Sequence, residues 1–273
     1  MTETVASDES EVLAAAVVVR RRGAAAWLRI NRPDAMNSLN MDVVAGLQEG
    51  LDSAESDENV RCIVLTGTGR AFCAGADLKF VRQAGEEPGD GQSQFLEQVG
   101  ALLNRIESFP KPVIAAVNGL ALAGGLETVL CCDLVIAAQS ARLGDAHANY
   151  GLLPGGGASV RLPRKIGPTR AKYLMFTGDF VLASDLLESG LVNQVVPDAE
   201  LDAAVTTLVD KLAARSPLGL SRMKQLVNDG LEQPITTGLR LELLASALHQ
   251  HSQDMNEGLR AFQEKRPPAF TGR

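Results

Sequence analysis

The chain has 273 residues, of which 45% are hydrophobic and 22% charged, a composition typical of one large globular domain or of a domain with an appendage. Its formal charge of −7 gives no basic footprint for a nucleic-acid partner. No run approaches the roughly 18 apolar residues of a membrane-spanning helix, and the apolar run Val12–Val19 precedes its arginines, the reverse of a secretory signal. We therefore predict a cytoplasmic protein with no membrane partner.

Elements alternate along the first two thirds of the chain. Residues 1–11 are polar, acidic and without periodicity, which predicts a disordered tail. From residue 12 to 197, short β-rich runs alternate with helical patterns, an order that predicts an α/β fold with parallel strands. The predicted strands are Val12–Val19 and Ala25–Ile30 around a turn at Arg21-Arg22-Gly23, then Val60–Thr66, Val113–Val117 and Leu134–Ala138, and the predicted helices are Met41–Ala54, Phe95–Phe109 and Gly124–Cys132.

Residues 198–273 change character and predict a helical appendage. Ser216-Pro217 is a favourable helix start, with a capping side chain and a proline in the first turn. His249 and His251 lie in this region and are expected to face solvent. The predicted helices are Leu201–Ala214, Pro217–Asp229, Ile235–His251 and Glu257–Gln263.

The four cysteines form no CxxC pair and no zinc-ligand pattern with histidine, so we predict buried free thiols and no metal site. They are Cys62, Cys73, Cys131 and Cys132.

Two glycine-containing segments, Arg70–Leu78 and Val117–Glu127, follow predicted strands. A helix that begins at Gly124-Gly125 would direct free N–H groups and its positive dipole end toward a ligand. Two such groups from separate loops would form an oxyanion hole, although each segment taken alone is better explained as a tight strand-to-helix turn. Neither segment matches GxGxxG or the P-loop pattern, so nucleotide-phosphate binding is not indicated.

Two side chains are candidates for acid–base chemistry. Glu127 is the only ionisable residue of Leu122–Cys132 apart from the cysteines, and burial there would raise its pKa into the range useful for proton transfer. An exposed helix glutamate is the commoner alternative, which the apolar neighbours disfavour. His147 lies ahead of a glycine-rich loop at Gly155-Gly156-Gly157, and a lone histidine is more often structural than catalytic.

Six motifs appear in a fixed order between about Leu28 and Phe270. They are Ile30–Leu39, Phe72–Leu78, Asn118–Glu127, Cys132-Asp133, Gly190–Pro197 and Phe262–Pro267. Together they resemble the crotonase family, also called the enoyl-CoA hydratase/isomerase superfamily. The resemblance implies a crotonase-like spiral of ββα units, followed by a C-terminal helical region that assembles as a homotrimer or a dimer of trimers.

The resemblance also implies an acyl-CoA thioester as substrate and no separate cofactor, because coenzyme A is part of that substrate. The backbone amides of Ala76 and Gly124 would form the oxyanion hole, worth roughly 3–4 kcal/mol per donor. The implied contacts of coenzyme A are Arg32 and Lys79 near its phosphates, Ala35, Ala74, Gly75, Asp77 and Leu78 along the site, and Phe262 and Lys265 at the adenine end of a neighbouring subunit's site.

The second catalytic position departs from the family pattern. Hydratases of the family usually carry two glutamates, and here Glu127 matches the first while His147 occupies the second. The leading hypothesis is hydration of a 2-enoyl-CoA, in which Glu127 activates water and His147 is the second acid–base group or positions the water. Asp145 could orient His147, although their spacing on a loop does not fix that geometry. The alternatives are Δ3–Δ2 isomerisation or thioester hydrolysis with Glu127 alone, and a non-catalytic acyl-CoA-binding oligomer.

Overall fold

The computed structural model describes residues 15–86 and 90–273, so the predicted tail at 1–11 and residues 12–14 of the first predicted strand lie outside the described residues. Ten strands form two sheets within this range. They are Val17–Arg22 (β1), Ala25–Ile30 (β2), Cys62–Gly67 (β3), Ala71–Cys73 (β4), Val113–Val117 (β5), Leu120–Leu122 (β6), Leu134–Ala138 (β7), Arg142–Gly144 (β8), Val181–Leu182 (β9) and Gln194–Val196 (β10).

Ten α-helices of the described residues surround these sheets. They are Met41–Ser56 (α1), Leu78–Glu86 (α2), Gly91–Ser108 (α3), Gly124–Leu130 (α4), Ala158–Ile166 (α5), Pro168–Thr177 (α6), Leu201–Ala213 (α7), Pro217–Leu231 (α8), Ile235–His249 (α9) and Gln253–Glu264 (α10).

The larger sheet has the strand order β1-β2-β3-β5-β7-β10 and is parallel except for the β1–β2 pair. Every residue of β3 and β5 is buried, as expected of parallel strands covered on both faces. Helix α1 packs beside β1 and β2, and α7 packs against β3, β5 and β7. The predicted alternation of parallel strands and helices is therefore confirmed: Ala25–Ile30, Val113–Val117 and Leu134–Ala138 have the predicted bounds, and the other elements differ by a few residues.

The turn predicted at Arg21-Arg22-Gly23 is wrong in position. Arg21 and Arg22 continue β1, and the chain reverses at Gly23, whose φ of 57° suits glycine. Arg22 is held in the strand because its guanidinium lies 4.6 Å from the centre of the Trp27 ring and its Nη1 donates to Asp202 Oδ2 at 2.8 Å.

The smaller sheet has the strand order β4-β6-β8-β9, and its strand β6 is followed along the chain by α4. The closest approach in this region is between Gly125 of α4 and the backbone of β4, where a Cβ atom on Gly125 would overlap the carbonyl oxygen of Cys73. Only glycine allows the helix to lie this close to the strand. This contact fixes the first turn of α4, and hence Gly124 and Glu127, relative to the segment that follows β4.

The C-terminal helices are confirmed, and Ser216 caps α8 by accepting from the Gly219 amide at 2.9 Å. Helices α8 and α9 pack against each other, yet α9 has no buried residue. The expectation that His249 faces solvent is wrong, because it is half-buried with its Nδ1 2.9 Å from Arg222 Nη1, whereas His251 is exposed. Large apolar side chains stay exposed on this region, among them Met223, Leu231, Ile235, Leu243, Leu248 and Phe262.

All four cysteines are buried free thiols, as predicted. Within the described ranges, no helix is both long and apolar enough to cross a membrane.

The close contact at Gly125 predicts opposite outcomes for two glycine-to-alanine changes. Gly125→Ala should lower the free energy of unfolding by about 2–3 kcal/mol, because the methyl group overlaps backbone that cannot move away. Gly100→Ala in α3 is the control, since no atom lies within 4 Å of the added methyl, and it should raise stability by about 0.5–1 kcal/mol. Urea unfolding measures both, and equal stabilities would contradict this packing.

Candidate active site

The two glycine-containing segments meet beside Leu39. Leu39 N donates to Gly75 O and Asp77 N donates to Leu39 O, each at 2.8 Å, so the segment after β4 pairs with the chain that enters α1. A Cβ atom on Gly124 would lie 3.6 Å from the Ala76 nitrogen and 3.1 Å from Leu39 Cδ1. Residues 76 and 124, distant in sequence, are therefore neighbours at one cleft.

The amides of Ala76 and Gly124 are available to a ligand. Gly75 and Asp77 make the bonds to Leu39, so the intervening Ala76 amide points to the other side of the strand. Gly124 is the first residue of α4, where an amide has no partner inside the helix. Neither amide donates a hydrogen bond to any residue that the structure describes.

A strained residue leads into α4. Ala123 has φ 47° and ψ −117°, a left-handed conformation that costs a non-glycine residue about 1–3 kcal/mol. Its amide donates to Gly144 O of β8 at 3.0 Å, which holds the turn in place. The turn redirects the chain from β6 into α4 within one residue, so the Gly124 amide opens toward the cleft.

Glu127 lies in the first turn of α4 and is only 3% exposed. Its Oε1 accepts two backbone hydrogen bonds, from Gly156 N at 2.8 Å and from Ala158 N at 3.0 Å. Burial raises the pKa of this carboxyl, and the two amides together with His147 offset the rise only in part. The prediction of a buried glutamate with a raised pKa is confirmed.

The glycine-rich loop before α5 is part of the site, a connection that sequence reasoning missed. A Cβ atom on Gly156 would lie 2.6 Å from both Glu127 Oε2 and Leu103 Cδ1, so glycine is required for the loop to fit between α3 and the carboxylate. The three successive glycines indicated special backbone angles, and Gly157 does adopt φ 100°. Nothing in their spacing identified Glu127 as the group that they contact.

His147 begins a short 3-10 turn, after Ala146 in the left-handed region with φ 62°. Its side chain is 11% exposed, and its Nδ1 lies 3.1 Å from Oδ1 of the buried Asp145. Burial alone would lower the pKa of His147, but the Asp145 and Glu127 carboxylates outweigh it, so the pKa lies above its ordinary value. Asp145 Oδ2 is buried without a hydrogen-bond partner among the described residues.

One cleft, with a cavity volume of about 90 Å³, brings together Ala76, Gly124, Glu127 and His147. A carboxylate and an imidazole with raised pKa values face it beside two unpaired amides, so it can transfer protons next to a polarised carbonyl oxygen. The other side chains that line it are largely apolar: Leu39, Leu78, Val81, Phe95, Leu96, Val99, Leu152 and Leu153.

The residues predicted to contact coenzyme A divide into a group between residues 32 and 79 and a pair at the end of α10. Arg32 Nη2 lies 2.9 Å from Asp77 Oδ2 and its Nη1 donates to Ser38 O at 2.7 Å, so this guanidinium joins the two predicted loops. Ala35 and Ala74 are partly exposed, Gly75 is buried with φ 101°, and Leu78 and Lys79 are exposed on the first turn of α2. Phe262 and Lys265 are exposed at the end of α10 and do not line the cleft of this protomer.

Neutralising Asp145 should lower the pKa of His147. In the Asp145→Asn variant the main contribution that raises this pKa is gone, and burial then dominates. Titration of the His147 ring by NMR measures the change, and Asp198→Asn, a distant exposed carboxylate, is the matched control. Because the folded-state pKa exceeds 6.5, His147 contributes stability that is present below pH 6.5 and lost as the pH rises through the folded-state value. An unchanged His147 titration in Asp145→Asn would contradict the pairing.

Comparison with known proteins shows the family of the chain. Residues 20–273 match the family model described as enoyl-CoA hydratase/isomerase. The crotonyl-CoA hydratase of Syntrophomonas wolfei is 36% identical, over 93% of this chain and 97% of its own length. The 1,2-epoxyphenylacetyl-CoA isomerase of Escherichia coli is 40% identical, over 90% of this chain and 94% of its own length.

A solved structure supports the same relationship. The enoyl-CoA hydratase of Bacillus anthracis superposes with a TM-score of 0.89 at 36% identity, over 94% of this chain and all of that one. The predicted crotonase-like α/β fold, with its spiral of ββα units and helical C-terminal region, is therefore confirmed. The chain belongs to the enoyl-CoA hydratase/isomerase family, also known as the crotonase superfamily.

Proposed function

We propose that the protein hydrates a 2-enoyl-CoA to a 3-hydroxyacyl-CoA, with Glu127 and His147 as its two acid–base groups. The observation that carries this proposal is the shared cleft, in which a buried carboxylate and a carboxylate-paired imidazole both have raised pKa values. Hydration needs two protonic groups, one for the attacking water and one for Cα, and the pair supplies both.

Glu127 and His147 together supply and recover every proton that the proposed reaction needs. The Glu127 carboxylate takes a proton from water as the water oxygen bonds to Cβ, and electrons move through the former double bond onto the thioester oxygen. Protonated His147 then gives its proton to Cα as the carbonyl re-forms. Glu127 now holds a proton that His147 has lost, and its transfer between them restores the starting state.

The negative charge of the enolate requires donors at the thioester oxygen. The Ala76 and Gly124 amides are neighbours, lack partners among the described residues and border the same cleft. Backbone donors of this kind stabilise an oxyanion by roughly 3–4 kcal/mol each. We assign them as the oxyanion hole, with Gly124 further favoured by its place at the positive end of α4.

The rest of the substrate, in this proposal, follows the loops around residues 32–39 and 74–79. Lys79 is exposed beside the cleft residue Leu78 and offers positive charge to the phosphates of coenzyme A, whereas the charge of Arg32 is largely balanced by Asp77. The exposed apolar side chains of α8 to α10 favour the predicted trimer, in which Phe262 and Lys265 would reach a neighbouring subunit's site. Residues 198–273 are thus proposed as the oligomerisation region.

Double-bond isomerisation is the second candidate, favoured by the 40% identity to an isomerase. It requires a single base to move a proton between Cα and Cγ, and Glu127 alone would suffice. The His147–Asp145 pair favours hydration, because isomerisation does not use a second acid–base group. Thioester hydrolysis with Glu127 alone and a non-catalytic acyl-CoA-binding oligomer rank behind, and a buried carboxylate that opens on the cleft argues against the latter.

Replacing Glu127 should abolish hydration without unfolding the protein. We expect wild type to consume the enoyl-thioester absorbance of crotonyl-CoA, and Glu127→Gln to lose roughly 100- to 10,000-fold in kcat. The amide oxygen of Gln can still accept from Gly156 and Ala158, so the thermal midpoint should not fall. Glu49→Gln, a change of an exposed glutamate on α1, is the control.

The pH dependence follows from the two pKa directions. The rate should rise as Glu127 ionises above pH 4.5 and fall as His147 deprotonates above pH 6.5. Absence of turnover by wild type, or an undiminished rate in Glu127→Gln, would contradict the proposed function.

A further inference from the structure

The wall of the cleft facing the acyl group is formed by side chains without charge. Phe95, Leu96 and Val99 present one face of α3 to it, and Val81 adds a contribution from α2. Phe95 and Val99 are almost fully buried, at 2% and 4% exposure. Phe95 also packs edge-on against Phe80, with 5.2 Å between ring centres, so this wall is fixed by aromatic packing.

The opposite wall is the loop from Leu152 to Gly156. A Cβ atom on Gly155 would lie 2.8 Å from Leu96 Cδ2, which shows that the loop and α3 are in van der Waals contact. Among the described residues that line the cleft, the polar side chains are those of Glu127, His147 and Gln92. The acyl group therefore lies between two apolar surfaces.

No lysine or arginine of the described residues lines this cleft. Arg32, the nearest cation along the Leu39 segment, is already paired with Asp77 at 2.9 Å. His147 Nδ1 lies 3.1 Å from Asp145 Oδ1, so Asp145 balances the charge of a protonated His147.

A charged acyl group would thus enter a cleft whose cation in the proposed reaction, protonated His147, is already balanced by Asp145. Transfer of an unpaired carboxylate from water to an apolar site costs several kcal/mol even after relaxation, whereas an alkyl group of the same size gains from the transfer. Glu127, which lines the cleft, adds repulsion because it starts the proposed reaction as a carboxylate. The discrimination acts on binding itself and does not depend on the chemical step.

From these observations we infer that the protein selects acyl-CoA thioesters whose acyl group is an uncharged hydrocarbon and rejects those that end in a second carboxylate. The inference rests on the proposed function in assigning the cleft to the acyl group. It deepens that function by naming the class of substrate, and it identifies the α3 face, with Leu96 at its accessible end, as the surface that determines specificity.

Two saturated thioesters of matched shape test the inference without turnover. Succinyl-CoA ends in a carboxylate where 4-methylpentanoyl-CoA ends in two methyl groups. Isothermal titration of the full-length protein should give a dissociation constant roughly 100-fold weaker for succinyl-CoA. Dissociation constants that agree to within about threefold would overturn the inference.

A cation introduced at Leu96 should reverse part of this preference. Leu96 is 41% exposed, so Lys at this position can place its ammonium group at the cleft while its stem replaces the leucine. Leu96→Lys should narrow the ratio of the two dissociation constants by about tenfold, and Leu96→Met, which conserves volume, should leave it unchanged. Circular dichroism verifies that both variants are folded, and a ratio unchanged in a folded Leu96→Lys protein would also overturn the inference.

The two proposals fail separately. A protein that prefers 4-methylpentanoyl-CoA but hydrates no enoyl-CoA would refute the proposed reaction and retain the acyl preference. A protein that hydrates crotonyl-CoA yet binds succinyl-CoA equally well would refute the preference and retain the reaction.

Discussion

The buried carboxylate of Glu127 is the constraint on which the rest of the site depends. An ionised carboxylate with 3% exposure is tolerated only if hydrogen bonds replace its water, and Gly156 and Ala158 provide two. These bonds require glycine at 156, because any side chain there would overlap Glu127 Oε2 and Leu103. The same loop lines the cleft, so a single interaction links the proposed acid–base residue to the shape of the cleft.

Backbone strain is concentrated at the same place. Ala123 and Ala146, both with positive φ, immediately precede Gly124 and His147, two of the groups assigned to the chemistry. Each conformation is costly for a residue with a side chain, and that of Ala123 is held by the smaller sheet through Gly144. The two turns cost stability, and they orient the Gly124 amide and the His147 imidazole toward one cleft. Such a loss of stability at a functional site is common in proteins.

Sequence patterns predicted the large sheet and the C-terminal helices well, because runs such as Val113–Val117 and caps such as Ser216 act locally. The smaller sheet escaped prediction, since strands of two or three residues, such as Leu120–Leu122, are too short to show a period. Within the site, the burial of Glu127 followed from its neighbours. The contact of Glu127 with Gly156 joins residues that are 29 positions apart in the sequence, and the Arg32–Asp77 pair joins residues 45 positions apart. No local pattern encodes separations of this length.

The central claim is that water adds across a carbon–carbon double bond under the control of Glu127 and His147. The most direct test is to incubate crotonyl-CoA with the wild-type protein in water enriched in the heavy oxygen isotope and to analyse the acyl product by mass spectrometry. The account predicts that the isotope appears in a hydroxyl group at Cβ of an intact thioester. Isotope found only in a free carboxylic acid, or a product without isotope, would contradict it.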